Sequence, residues 1–291
     1  MSGSGANYTL TVNTGTGSGS IALNLANATG ISPGISTTLP FAGETYTIDK
    51  TNPTVVTQNS IVYLNAAGTV TASAAQVNNG SSDASGIASL AINTTNFTCA
   101  NVGTPVTVTL TVTDNAGNAN TGTATITVLD TVRPVAITRN RTVYLNAAGT
   151  GTVSPGQVNN GSTDACGVAA FSLSQTSFTC ANVGTPVTVT FTVTDVSGNT
   201  GTGTATITVL DTVRPVVNTQ NRTVYLNAAG TATLSALLVN NGSSDACGVA
   251  SVSLSPNTFT CANVGTPVTV TLTATDVNGN NNTGTATPSR Y

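Results

Sequence analysis

Two kinds of side chain in this sequence combine a reactive type with regular spacing: the cysteines and the aspartates. Cys166 and Cys180 stand fourteen residues apart, and Cys247 and Cys261 repeat that pair 81 residues later. Cys99 has no such mate, because Ser85 occupies the first position. Each pair flanks a predicted hairpin, so disulfides Cys166–Cys180 and Cys247–Cys261 are the expected bridges. The alternative is two buried free thiols in each repeat. Closing a loop of about 15 residues contributes on the order of 3 kcal/mol and calls for an oxidising compartment. Cys99 is then expected to be a buried small residue rather than a reactive thiol. Two cysteines per repeat do not make a zinc signature.

The aspartates follow the same period. Asp49, Asp130 and Asp211 precede the repeats; Asp83, Asp164 and Asp245 lie in their middle; Asp114, Asp195 and Asp276 open their last turns. If the strands of a repeat alternate in direction, the first and third sets share one end, and the middle set faces the next junction. One junction then gathers Asp83, Asp130 and Asp195. The next gathers Asp164, Asp211 and Asp276, with an amide oxygen from Asn280. Oxygen ligands converging from three segments suit calcium. The same aspartates also suit Asx turns, where the carboxylate accepts from nearby backbone N–H groups.

Little other chemistry is available. Histidine is absent and Glu44 is the sole glutamate, which removes the usual general base and every Ser-His or Cys-His nucleophile. Catalysis is not expected, and no cofactor is required beyond the candidate calcium. Charged residues make up 6% of the chain, against about 25% in an average protein. The seven cations form no stripe that could follow a nucleic-acid backbone. No apolar run approaches the roughly 18–20 residues of a membrane span.

These residues are held by an 81-residue repeat. Asp130-Thr-Val-Arg-Pro134 recurs from Asp211, with a weaker copy at Asp49; Tyr-Leu-Asn-Ala-Ala-Gly starts at Tyr63, Tyr144 and Tyr225. Within a copy, Val187, Val189, Phe191 and Val193 alternate with threonines, the period of a half-buried strand. A Ser-Gly-Asn turn and a second alternating run, Thr204 to Val209, complete a hairpin. Upstream strands are expected at 135–138, 141–145, 150–154, 168–173 and 177–180. About seven short strands with frequent turn signals describe an immunoglobulin-like sandwich. The expected domains are 1–48 (the closing part of such a domain), 49–129, 130–210 and 211–291, joined into a rod. Both ends read as truncated, and Pro288 should shorten the last strand of the third repeat.

The run Asp164-Ala-Cys-Gly167, Val183-Gly184, Thr194-Asp-Val-Ser-Gly-Asn199 and Thr206-Ile-Thr-Val209 resembles the hyalin repeat (HYR) and related bacterial immunoglobulin-like modules. The resemblance covers residues 49–291, without the Cys-Pro often seen in eukaryotic members. It implies a tandem, extracellular or cell-surface array serving as a structural or adhesive stalk. The alternative is a non-catalytic spacer in a secreted multidomain hydrolase. Reading the Thr-x-Thr strands as an ice-binding face is weaker, because threonine is a good solvent-facing strand residue. The partners implied are an unidentified surface ligand or neighbouring domains. Strand exchange with another copy is a further expectation, the strand around Tyr8–Val12 adding to the open edge of the third repeat.

Overall fold

The computed structural model describes residues 2–4, 7–26 and 41–288. It is all-β, built of tandem immunoglobulin-like sandwich repeats. The chain divides into two compact units, Met1–Val132 and Arg133–Tyr291. The second sequence repeat and the third thus share one unit.

In the first unit a four-stranded sheet runs in the order Ser60–Tyr63, Ala119–Leu129, Val106–Asp114, Ile87–Ile92. Its first pair is parallel and the others antiparallel. A two-stranded sheet of Thr69–Thr71 and Asn96–Thr98 lies beside it. The N-terminal region contributes two hairpins, Ser2–Ser4 with Asn7–Thr9 and Gly19–Leu25 with Phe41–Ile48. The strand expected at Tyr8–Val12 is not unpaired: Tyr8 and Thr9 have ladder partners in Gly3 and Ser2, and residues 10–12 belong to no strand.

The second repeat reproduces this pattern with Arg141–Tyr144, Thr200–Leu210, Val187–Asp195 and Val168–Leu173. Alternation does what the sequence requires of it. Val189, Phe191 and Val193 are buried together with Ala205, Ile207 and Val209 from the neighbouring strand. Val143 adds to this layer from the same sheet, Leu145, Val153, Val158 and Phe178 complete the core, and the rings of Phe171 and Phe191 stack at 5.5 Å. Val158 comes from a single helical turn, Pro155–Val158, in which Ser154 N–H donates to Gln157 Oε1. One turn is too short to leave a helical period in the sequence.

The third repeat closes differently. Its last strand, Asn281–Ala286, has six residues where Thr200–Leu210 has eleven, and its sheet has three strands. Pro288 stands where the second repeat has Ile207, which pairs with Arg141 and opens the parallel ladder. A proline there supplies no ladder N–H.

One expectation about strand direction fails. Residues 135–138 and 141–145 do not reverse between them. The first stretch bridges antiparallel to Asn159 and Thr163, and the second pairs in parallel with Ile207–Leu210. Both run alongside the same strand: Thr138 Oγ1–H donates to Thr204 O, and Thr206 N–H donates to Asn140 Oδ1. What the sequence presents as two strands is one path that changes partner, so the Asp164 loop falls at the end opposite to the one expected.

Candidate functional site

The error in parity decides where the cysteines and aspartates lie. In the second repeat, Val168 pairs with Asp195, which places the Asp164 loop at the hairpin end of the sheet. Asp211 follows Leu210 at the opposite end, a nine-residue strand away, or about 30 Å at 3.3 Å per residue. The expected set of Asp164, Asp211 and Asp276 therefore does not assemble. In the third repeat, Val249 pairs with Asp276, so the Asp245 loop and the Asp276 turn share an end. Asn280 Nδ2 donates to Asp211 O at 3.2 Å, which brings the linker to that end as well. The first repeat likewise collects its own three, Asp49, Asp83 and Asp114, and Asp83 does not join the expected set with Asp130 and Asp195.

Most of these carboxylates work on their own turns. Asp276 Oδ1 accepts from Asn278 and Asn280 N–H, and its Oδ2 accepts from the Asn280 amide. Asp195 is engaged in the same way by Ser197 and Asn199, and Asp114 by Ala116 and Asn118. Asp130 Oδ1 accepts from Val132 N–H. Asp245 Oδ1 accepts from Cys247 N–H at 2.8 Å, and Gly248, at φ +107°, completes a turn that presents the cysteine. Asp164 does the same for Cys166.

Two carboxylate oxygens differ. Asp164 Oδ2 and Asp211 Oδ2 are buried with no hydrogen-bond partner. Asp211 is only 8% exposed, its Oδ1 accepts from Val213 N–H, and its carboxylate lies within 4.8 Å of ligand atoms of Asp245 and Cys247. A buried carboxylate oxygen without a donor is costly unless a cation meets it. Two carboxylates from separate segments are oxygen donors of the kind a hard cation takes, though fewer than the six to eight oxygens of a full calcium shell. Cys247 cannot join as a thiolate, because it is bonded elsewhere.

Its partner is Cys180, 67 residues upstream in the preceding repeat, with Cα atoms 5.2 Å apart. The expected bridges within each repeat are not formed. Cys261 is free and exposed, whereas Cys99 and Cys166 are each disulfide-bonded. Cys99 is thus not the orphan that the spacing within a repeat suggested. The physical reason is again direction. Cys180 opens a 3-10 turn, Cys180–Asn182, at the end of its repeat away from the Asp164–Cys166 loop, where the next repeat's Asp245–Cys247 turn arrives. Thr179 N–H donates to Asn182 Oδ1, and Val183 N–H to Cys180 O, so the turn fixes the direction of the sulfur. Gly149 packs against this junction: a Cβ there would meet Cys180 Sγ at 2.8 Å and Ala246 Cβ at 3.1 Å. A signal for this pairing was present. The 67-residue spacing occurs twice, from Cys99 to Cys166 and from Cys180 to Cys247, and 67 residues before Ser85 stands Ser18.

Ser18 and Ser85 mark the serine version of this site. Ser18 Oγ–H donates to Asp49 Oδ1 at 3.0 Å, Asp49 being the counterpart of Asp211, while Ser85 Oγ–H donates to Asp83 Oδ1 at 2.8 Å and lies beside Asp49. The Thr51 backbone N–H leads in holding the Asp49 carboxyl down to about 2, followed by the Ser85 hydroxyl, with Ser18 and the Thr51 side chain adding smaller contributions against a small opposing effect of burial.

No family model and no curated protein matches the chain. Among solved structures, it is similar to an I-band fragment of titin, at 10% identity over 82% of this chain and 96% of that one, with a TM-score of 0.34. It is also similar to a fragment of mouse cadherin-23, at 13% identity over 82% of this chain and 98% of that one, with a TM-score of 0.32. Among the described residues, no helix is long and apolar enough to cross a membrane.

Proposed function

We propose that this chain is a non-catalytic structural segment, a stalk of a secreted or cell-surface bacterial protein in which successive immunoglobulin-like repeats are covalently stapled. The Cys180–Cys247 disulfide carries this reading. It joins residues of different repeats, packs both cysteines against the core of the second, and limits how the two can separate. Closing a loop of this length contributes about 4 kcal/mol at 25 °C in the chain-entropy model. Such bonds persist in oxidising compartments, which supports an extracellular location. The acids support the same role, since they shape turns and present cysteines rather than flank a substrate cleft. A non-catalytic spacer in a secreted hydrolase would use the same mechanics on behalf of another domain.

The staple has a mechanical signature. Pulled by its ends, the oxidised chain cannot extend the residues between Cys180 and Cys247, a separation of 67. At 3.3–3.6 Å per residue, that withholds about 220–240 Å of contour length. Single-molecule force spectroscopy should show that difference between the natural chain and a Cys180→Ser, Cys247→Ser variant. Equal contour lengths would rule the stapled stalk out.

A second reading rests on Asp211 Oδ2. We infer that calcium occupies the Asp211–Asp245 pair and meets the carboxylate oxygen for which the protein supplies no donor.

A further inference from the structure

We propose that Cys261 is the acceptor half of another inter-repeat disulfide, made to take the cysteine of an Asp-Ala-Cys-Gly turn from a further immunoglobulin-like repeat. The inference rests on the stapled-stalk reading and extends it to a site that remains open.

The second repeat shows what a completed site looks like, and the third reproduces one side of it. Cys261 opens the 3-10 turn Cys261–Asn263, as Cys180 opens Cys180–Asn182. Thr260 N–H donates to Asn263 Oδ1 at 2.9 Å, matching Thr179 to Asn182 at 3.0 Å. Val264 N–H donates to Cys261 O as Val183 N–H does to Cys180 O. The sulfurs are aimed alike: Cys261 Sγ lies 3.6 Å from Gly230 O, and Cys180 Sγ lies 3.7 Å from Gly149 O. Gly230 and Gly149 share a φ of +71°.

The difference between them identifies the occupant. A Cβ on Gly149 would meet Ala246 of the docked turn, whereas one on Gly230 would meet only Cys261 Sγ. Cys180 is half-buried under that turn, and Cys261 is exposed. The platform at Gly230 and Cys261 therefore has the geometry to which Asp245-Ala-Cys-Gly248 binds one repeat earlier. The chemistry is thiol–disulfide exchange with a small-molecule disulfide such as glutathione disulfide. The incoming cysteine first forms a mixed disulfide with glutathione, releasing one glutathione thiol. The Cys261 thiolate then attacks the protein-side sulfur, the bond to glutathione breaks, and a second glutathione leaves as thiolate. Two protein thiols are oxidised and one glutathione disulfide is reduced.

The test is a chain lengthened by one repeat: Pro288–Tyr291 replaced by the sequence of Ile207–Leu210, followed by a second copy of residues 211–291. After equilibration in a glutathione redox buffer, non-reducing peptide mapping should show Cys261 joined to the cysteine of the added Asp-Ala-Cys-Gly turn. A Cys261 left as thiol or glutathione adduct, or bonded to Cys261 of another chain, would overturn the proposal. The same digest reports Cys180–Cys247, so loss of that bond marks failure of the stapled-stalk reading instead. A second measurement does not depend on the added repeat folding. The natural chain is offered a peptide with the sequence of Ser243–Ala250, or a scrambled peptide keeping the cysteine. Cys261 should favour the native order about tenfold at exchange equilibrium, and equal capture would overturn the proposal.

Discussion

Asp49 and Asp211 hold the same place in the first and third repeats, and they differ in burial and in the groups beside them. Asp49 is flanked by the hydroxyls of Ser18 and Ser85; Asp211 lies beside the Cys180–Cys247 disulfide. Hydroxyls donate to a carboxylate, and a disulfide cannot. The Asp49 carboxyl, held first by the Thr51 backbone N–H and then by the serine hydroxyls, is lowered to about 2, while Asp211 keeps one buried oxygen without a donor. Replacing the serine pair by a cysteine pair exchanges hydrogen bonds for a covalent link and leaves a carboxylate oxygen without a donor. One loop thus serves two kinds of junction.

The largest effect expected from breaking this contrast comes from Cys180→Ala together with Cys247→Ala. Removing the staple should cost about 4 kcal/mol of unfolding free energy in the second unit. The Cys180→Ser, Cys247→Ser variant should recover about 1 kcal/mol of that, because the hydroxyl at position 180 can donate to Asp211 as Ser18 donates to Asp49. Chemical denaturation of the three proteins checks the order. Equal losses for alanine and serine would show that the hydroxyls do not reach the carboxylate.

The reverse exchange is the next test. Ser18→Cys with Ser85→Cys should form a disulfide under oxidising conditions, stabilising the first unit by about 2 kcal/mol once the lost hydrogen bonds are set against loop closure. The readout is the difference in denaturation midpoint between the oxidised and reduced forms of that variant. No difference would mean that the two serines share a carboxylate without sharing the geometry of a bridge.

The 81-residue period, the sandwich strands and the shortened last strand could all be read from the sequence, because each is a local pattern: alternation, turn residues, and a proline where Ile207 stands. The involvement of most of the cysteines was legible too. Their pairing was not. It depends on which end of the sandwich each loop occupies, and so on counting reversals. The stretch from Val135 to Tyr144 carries a turn-like Arg-Asn-Arg interruption yet never reverses, because Asn140 turns its side chain to Thr206 N–H and the path continues along the same strand. One miscounted reversal moved the Asp164 loop by the length of the sheet. It also joined Asp164 to Asp211, while a second one, between Val168–Leu173 and Ser177–Thr179, which pair with different strands instead of forming a hairpin, placed Cys166 beside Cys180.

A smaller effect concerns calcium at Asp211. At a concentration tenfold above its dissociation constant, a cation bound only by the folded state contributes about 1.4 kcal/mol. Melting curves in calcium and in EDTA should separate by a few degrees for the natural chain and coincide for Asp211→Asn. Coincident curves for the natural chain would discard the site and leave the staple untouched.

The smallest effect is the most local. Ser85→Ala removes one of the donors that hold the Asp49 carboxyl near 2, so its titration should move up toward the ordinary value of 3.8. The sign follows from linkage. A carboxyl whose folded pKa lies below its unfolded value contributes stability above the unfolded value and loses it as pH falls through the folded one. For Asp49 that window runs from about 3.8 down to about 2. In Ser85→Ala the window narrows from its acidic side, because the folded value rises while the unfolded value stays. Carboxyl chemical shifts followed by NMR through this range would show the change directly. Solvent screens a carboxylate this exposed, so the change in stability should be too small to resolve in a melting curve. An Asp49 titration that stays near 2 in Ser85→Ala would assign the depression to Thr51 and Ser18 and remove Ser85 from the serine pair.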